Sequence, residues 1–316
     1  MRLLAVPYAV QRTLLAVVQL AVLSVLVFVL TSLLPGDAAE LRFTETLTPE
    51  QVAGLRIELG LDRPAPERFV HWLGDVLTGD LGTSLISGGP VAGIVRHSIG
   101  ATLVLTLATL AVVVPLAVAL GIVMGTRENG RIDRAITSVT LALSAIPDFV
   151  IAVVLVAVFS LKLGWLPATW IGGDLLSSPA LLILPIAVLF GRTVCLLSRQ
   201  VRAGTVAALN AEYITQARRL GVPRRRLLLR HVLPNAAVPG VQELARTGDT
   251  LLGGVLVVEA IFAIPGFATA LVDGVETRDI PTVQGLTLVL AVAALLINLA
   301  ADLTCNRLVP RTALLR

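Results

Sequence analysis

The chain has 316 residues, 56% of them hydrophobic and 15% charged, with a formal net charge of +4 and a mean hydropathy of +0.88. Soluble domains carry about 25% charged residues, so this composition excludes an ordinary soluble globule and indicates a polytopic, all-α membrane protein. The basic pI of 9.8 does not point to nucleic acid as a partner, because the arginines gather at the ends of apolar runs instead of covering a soluble face.

A membrane-spanning helix needs ~20 apolar residues. Runs of that kind occur at 14–34, 101–126, 135–160, 180–198, 236–262 and 282–304, which predicts six transmembrane helices. The first run is too long for a signal-peptide core and no A-x-A site follows it, so it reads as a retained span. Residues 35–100 mix apolar residues such as Leu55, Phe69 and Trp72 with Pro, Gly and acids, which predicts a small folded cap. Thr48-Pro49-Glu50-Gln51 reads as the start of a short helix ending at Gly60. Within the later runs, Pro115, Pro147 and Pro185 each remove a helix hydrogen bond and predict kinks. Gly121-x-x-x-Gly125 allows close helix approach, expected within the chain more than between chains.

Arginine placement orients the chain. Arg2 and Arg12 precede the first run, Arg127, Arg131 and Arg134 follow the second, eight arginines occupy 199–230, and Arg307, Arg311 and Arg316 end the chain. The short loops on the opposite side hold only Lys162, the sole lysine, and Arg278. The positive-inside rule then places both termini and the 199–235 loop in the cytoplasm and the 35–100 cap outside.

That loop is the densest feature. Arg199 to Leu220 reads as helix, Gly221 as its C-cap, Pro223 as the opening of a second short helix and Pro234 as its end. On charge alone it is equally well a topology signal.

No catalytic or metal set is legible. Lys162 lies between Leu161 and Leu163, so there is no phosphate-binding GK[ST] loop. His71, His97 and His231 are scattered, and Cys195 and Cys305 read as small buried hydrophobes. Charges at membrane depth stand out because they are costly there. Asp148, beside Pro147, falls near the middle of the third run. Glu243, Arg246 and Asp249 interrupt the fifth at intervals of three, an acid–base–acid set on roughly one helix face. An internal salt bridge is the favoured reading of that set, and a polar stripe along a solute path is the sharper one.

Ala217, Gly221, Leu233 and Pro234 fit the pattern EAA-x3-G-x9-I-x-LP, the signature loop of importer-type ABC transporter permeases. Thr215, Gln216 and His231 depart from it. Further segments resemble the first permease subunit of the dipeptide/oligopeptide/nickel branch: Leu33-Leu34-Pro35-Gly36-Asp37, Gly79-Asp80-Leu81-Gly82-Thr83-Ser84, Ile146-Pro147-Asp148-Phe149, Val258-Glu259-Ala260-Ile261-Phe262 and Pro281-Thr282-Val283-Gln284-Gly285. The resemblance implies the type I importer permease fold in a bacterial cytoplasmic membrane. Implied partners are a sister permease, two ATP-binding subunits that alone bind ATP and Mg, an external solute-binding protein, and a peptide or related solute. It also implies that the elbow docks on an ATPase. Ala217 would permit close approach, Gly221 would set the docking angle, Arg218 and Arg219 would meet carboxylates, and Leu220, Val222 and Leu227 would form the apolar contact. The competing readings are a stand-alone secondary transporter, which a repeat or a proton-relay carboxylate chain would favour, and an integral membrane enzyme.

Overall fold

The structure is a computed structural model and describes residues 8–33, 63–170, 172, 178–253 and 255–308. Among these residues there is no β-strand and one isolated antiparallel bridge, Thr83–Pro90. In chain order the helices are α1 (Tyr8–Ser32), α2 (Ala65–Leu77), α3 (Val91–Thr126), α4 (Arg131–Ala145) and α5 (Asp148–Leu155), which continues as a π-helix, π1 (Val156–Lys162). Next come α6 (Ala180–Leu209), α7 (Glu212–Arg219), α8 (Arg224–Leu227) with a second π-helix, π2 (Leu228–Val232), then α9 (Leu233–Gly253), α10 (Leu256–Ile261), α11 (Phe267–Glu276) and α12 (Ile280–Leu308).

Four described helices are long and apolar enough to cross a membrane: α1, α3, α6 and α12. Counting α4 with α5–π1 as one bent span makes five. The expected third span, 135–160, is thus not one kinked rod but two segments at 89°. Pro147 explains the break. Its ring drives Ile146 out of the helical region, to ψ 128°, and its own ψ is 139°. The expected span 236–262 is also divided, into α9 and α10. Glu243, Arg246 and Asp249 put three charges into α9, which is not among the helices apolar enough to span.

The chain forms two compact units, residues 1–102 with 265–295 and residues 103–264 with 296–316. In the first unit, Phe28 of α1 packs against Phe69 and Trp72 of α2, with ring centroids 5.3 and 5.9 Å away. The Arg68 guanidinium lies 5.9 Å from the centre of the Phe28 ring, a cation–π contact. The buried Asp279 carboxylate joins two segments far apart in sequence. It accepts from the Ser84 hydroxyl, from the Leu85 N–H at 2.9 Å and from the Thr282 hydroxyl at 2.7 Å. Gln284 Nε2 donates to Thr31 Oγ1 at 2.7 Å, tying the first turns of α12 to the end of α1. The described part of the expected cap is therefore α2 and a short bridged loop. The helix expected at 48–59 lies outside the described residues.

The second unit is organised on α6, which packs against α4, α5, α9 and α10. Gly121 and Gly125 of α3 allow the tight approach to α6 that their spacing predicts. A Cβ on Gly121 would sit 2.6 Å from Val201 Cβ, and one on Gly125 would sit 2.6 Å from Thr205 Cβ. On the α9 side of α6, a Cβ on Gly204 would meet Ala236 Cα at 2.9 Å. Val113, Ala117, Val194 and Leu197 form a buried apolar cluster between α3 and α6. Cys195 and Cys305 are buried and unbridged.

Candidate functional site: the arginine elbow

The helix expected from Arg199 to Leu220 is interrupted. α6 ends at Leu209, and Ala211 is extended at ψ 142° before α7 begins. Neither Gly nor Pro marks this break. It folds α7 back, so that Ile214 meets Ala208 in a buried apolar cluster with Leu227 and Val232. Ala217, Val222 and Leu228 pack against that cluster. In α7 the inward positions Ile214 and Ala217 are three apart, while Tyr213, Gln216, Arg218 and Arg219 are exposed, as an amphipathic helix requires. Glu212 in its first turn and Arg218 and Arg219 in its last complement the helix dipole.

Gly221 closes α7 as expected. Its φ of +77° is left-handed, its N–H donates to Arg218 O at 3.0 Å, and the Val222 N–H donates to Ala217 O at 3.1 Å. These two bonds make a Schellman motif, with Ala217 and Val222 in the positions of its hydrophobic pair. A Cβ at Gly221 would touch nothing within 4 Å, so the need for glycine is conformational and not steric.

Pro223 precedes α8 with ψ 143°, one residue outside its expected helical position. Pro234 does not end the second helix. The chain stays helical from Arg224 through π2 into α9. The Leu233 N–H reaches back five residues to Leu228 O, which widens the turn ahead of Pro234. Pro234 is therefore carried inside a continuous helical run, at the widened turn that leaves room for its ring and missing N–H.

The elbow residues separate into two sets. Leu227 is corrected: it is 2% exposed and belongs to the elbow's own core, not to an outward docking face. Ala217 and Val222 are half-buried on that same core, and Leu233 is half-buried while Pro234 is exposed. Leu220 is 75% exposed at the tip. Arg218, Arg219 and Arg224 to Arg226 are exposed around it, and the apolar parts of Tyr213 and Leu229 are accessible nearby. Asn235 Nδ2 braces the elbow by donating to Tyr213 Oη at 2.9 Å and to His231 O at 2.6 Å.

Behind the elbow, Arg202 of α6 grips Asp133 of α4 with two bonds, Nε to Oδ1 and a terminal nitrogen to Oδ2, each 2.7 Å. Asp133 also accepts from the Asn129 N–H at 2.9 Å. Fork-to-fork geometry of this kind is the strong form of an ion pair. The partners are 69 residues apart, so no local pattern announced them. Ile214 and Tyr213 were likewise missed, although the three-residue spacing of Ile214 and Ala217 was a readable signal.

The expected membrane-depth charges stand on α5 and α9. Asp148 is not mid-helix. It opens α5 after the Pro147 break and is half-buried, a place where a carboxylate favours the helix dipole. Glu243 turns inward at 8% exposure and Arg246 faces outward. The Asp249 side chain lies outside the described residues. Glu259, in α10, is fully buried.

The described residues thus form a helical membrane-type chain with several membrane-capable spans and an arginine-rich, glycine-capped elbow. Residues 117–314 match the family described as binding-protein-dependent transport system inner membrane component, and residues 5–89 match the N-terminal part of such components. The chain belongs to this family, whose members are non-enzymatic membrane components of transport systems. It is 37% identical to a glutathione transport system permease protein of Pectobacterium atrosepticum, over 94% of this chain and 95% of that one. It is 34% identical to a putative peptide permease protein of Brucella suis, over 96% and 98%. With a probable peptide ABC transporter permease protein of Sinorhizobium fredii it shares 31% identity over 96% and 98%.

Proposed function

We propose that this chain is a translocation-path subunit of an ATP-driven importer for peptides or related small solutes. It lines the path together with a sister permease and accepts solute from an external binding protein. It is driven by two cytoplasmic ATP-binding subunits, which supply all nucleotide and Mg binding. Family membership and the peptide and glutathione activities for which the relatives are named support the solute class. The same membership favours an importer over a secondary transporter acting alone. Six spans with both termini cytoplasmic follow from arginine placement, with α4–α5–π1 as one bent span and the charged α9 as part of another.

The observation that carries the coupling role is the Schellman-capped elbow. It holds Leu220 outward at 75% exposure amid five exposed arginines, while Leu227 and Ile214 make the elbow a stiff unit. Leu220 is the apolar contact to an ATPase groove, and Arg219 is a rim charge giving ~1 kcal/mol or less. Ala217, Gly221 and Val222 hold the tip in shape, and Leu233 and Pro234 join it to α9. Asp148, Glu243, Arg246 and Asp249 are the candidates for contact with solute.

The test is affinity purification from the native membrane followed by ATPase and transport assays. Recovery of a second permease and two ATP-binding chains is expected, with loss of the ATP-binding chains on Gly221→Trp and weakened coupling on Leu220→Asp. A chain that purifies alone and transports without ATP would overturn the proposal. For the path residues, Arg246→Ala in an assembled complex should reduce transport if the polar stripe meets solute. Unchanged transport would remove Arg246 from the path.

A further inference from the structure

Three arginines from three separate elements converge on one groove of about 800 Å³. Arg127 follows α3, Arg131 opens α4, and Arg218 stands on α7. The apolar part of the lining comes from Ile132, Val206 and Leu209. One acid, Glu128, also lines the groove, which leaves an excess of two positive charges. No hydrogen bond or ion pair joins these three guanidiniums to another described residue, whereas Arg202 close by is fully used by Asp133. Like-charged, uncommitted guanidiniums around one hollow repel one another, and an anion between them relieves the repulsion.

The position of the groove selects the anion. It includes Gly125 and Thr126 at the end of α3 and Leu209 at the end of α6. Both helices are long and apolar enough to span a membrane. The apolar run of α3, 101–126, ends at this groove, which sets the groove at the level of lipid headgroups, and α6 continues beyond its own apolar run, 180–198, to line it. Arginine placement assigns this end to the cytoplasmic leaflet, where anionic lipids attract basic clusters. Guanidiniums pair with phosphate oxygens bidentately, and Ile132, Val206 and Leu209 offer the apolar wall that an acyl chain needs and a soluble anion does not.

We infer that this groove binds the phosphate headgroup of an anionic membrane lipid and, through Arg218, braces the elbow against the ends of α3 and α4. The inference rests on the cytoplasmic placement of the elbow proposed above but not on the transported solute. A failed lipid test therefore leaves the transport assays standing, and the reverse also holds.

The experiment titrates the purified transporter complex, stripped of lipid in detergent, with phosphatidylglycerol, phosphatidylcholine or glycerol 3-phosphate, read by native mass spectrometry. Phosphatidylglycerol should bind about tenfold more tightly than phosphatidylcholine. The exposed pair Arg127→Gln/Arg131→Gln should erase that preference, and Arg131→Gln alone should reduce it. Arg224→Gln/Arg225→Gln removes the same charge elsewhere on the elbow and should leave the preference intact. Three results would overturn the inference. One is a preference that survives Arg127→Gln/Arg131→Gln, and another is equal loss in Arg224→Gln/Arg225→Gln, which would mean diffuse attraction. The third is glycerol 3-phosphate competing as well as the lipid, which would mean a soluble-anion site. A photo-crosslinker placed at Ile132 should label lipid, and capture of an ATPase chain instead would assign the groove to protein docking.

Discussion

Helices α1 and α6 look alike as sequence and differ as structure. Their most apolar windows have mean hydropathies of 2.7 and 2.3, yet 17% of the α1 window is buried inside the chain against 56% for α6. α12, at hydropathy 2.3, is buried over only 11% of its window. Hydropathy reports that a helix leaves water. It does not report whether the apolar face meets lipid, a sister subunit or the chain's own core, because all three surroundings are equally apolar. What separates α6 is its close contacts: glycines of α3 press on it from one side and Gly204 admits α9 on another. The chain itself leaves most of α1 and α12 uncovered.

The comparison is sharpest where atoms are closest. Gly121→Leu places a side chain where even a Cβ would stand 2.6 Å from Val201 Cβ and 2.8 Å from Ser198 O. Because backbone lies in the way, it should abolish recovery of monodisperse protein in fluorescence-detected size exclusion. Normal recovery would mean that α3 does not seat on α6 as described. Leu227→Ala empties the elbow core and should cost about 3 kcal/mol, seen as a lowered thermal midpoint together with impaired coupling. A loss of coupling at unchanged stability would return Leu227 to the docking face.

Arg202→Ala leaves Asp133 buried without its partner. Discounted for the 28% exposure of the Arg202 side chain, the expected loss is about 2 kcal/mol. Arg202→Met with Asp133→Leu should recover most of it, and a double-mutant cycle with no coupling energy would argue that the pair is ornamental. At the small end, Leu14→Ala and Val18→Ala on the outward face of α1 should each change stability by less than about 0.5 kcal/mol. A cost like that of Leu227→Ala would show that α1 is packed and not a lipid-facing surface.

How much of this was legible depended on the range of the interaction. The Gly221 cap was readable because its cause is local: only glycine accepts φ +77° without strain. The Gly121/Gly125 contact was readable as spacing, though not its partner. Pro147 announced a disturbance, but the 89° turn depends on how the flanking segments then pack. Pro234 misled, because a proline carried inside a helical run at a widened turn and a proline ending a helix are the same letter. The break at Asn210–Ala211 was invisible, since neither residue forbids helix. It exists because folding back buries Ile214 completely, a gain of roughly 2 kcal/mol. Leu227 was placed on the wrong side because periodicity identifies an apolar face without identifying what covers it.

The sequence by itself determined the membrane-spanning, all-helical character of the chain, its family and the site of its elbow. These follow from composition, apolar run length and residues with rigid backbone demands. Only the tertiary structure decided which apolar faces are internal, where Asp133 meets Arg202 and Ser84 meets Asp279, and which elbow residues face outward. Such pairings join positions 69 and 195 residues apart, and their energy appears only after the chain between them has been brought together.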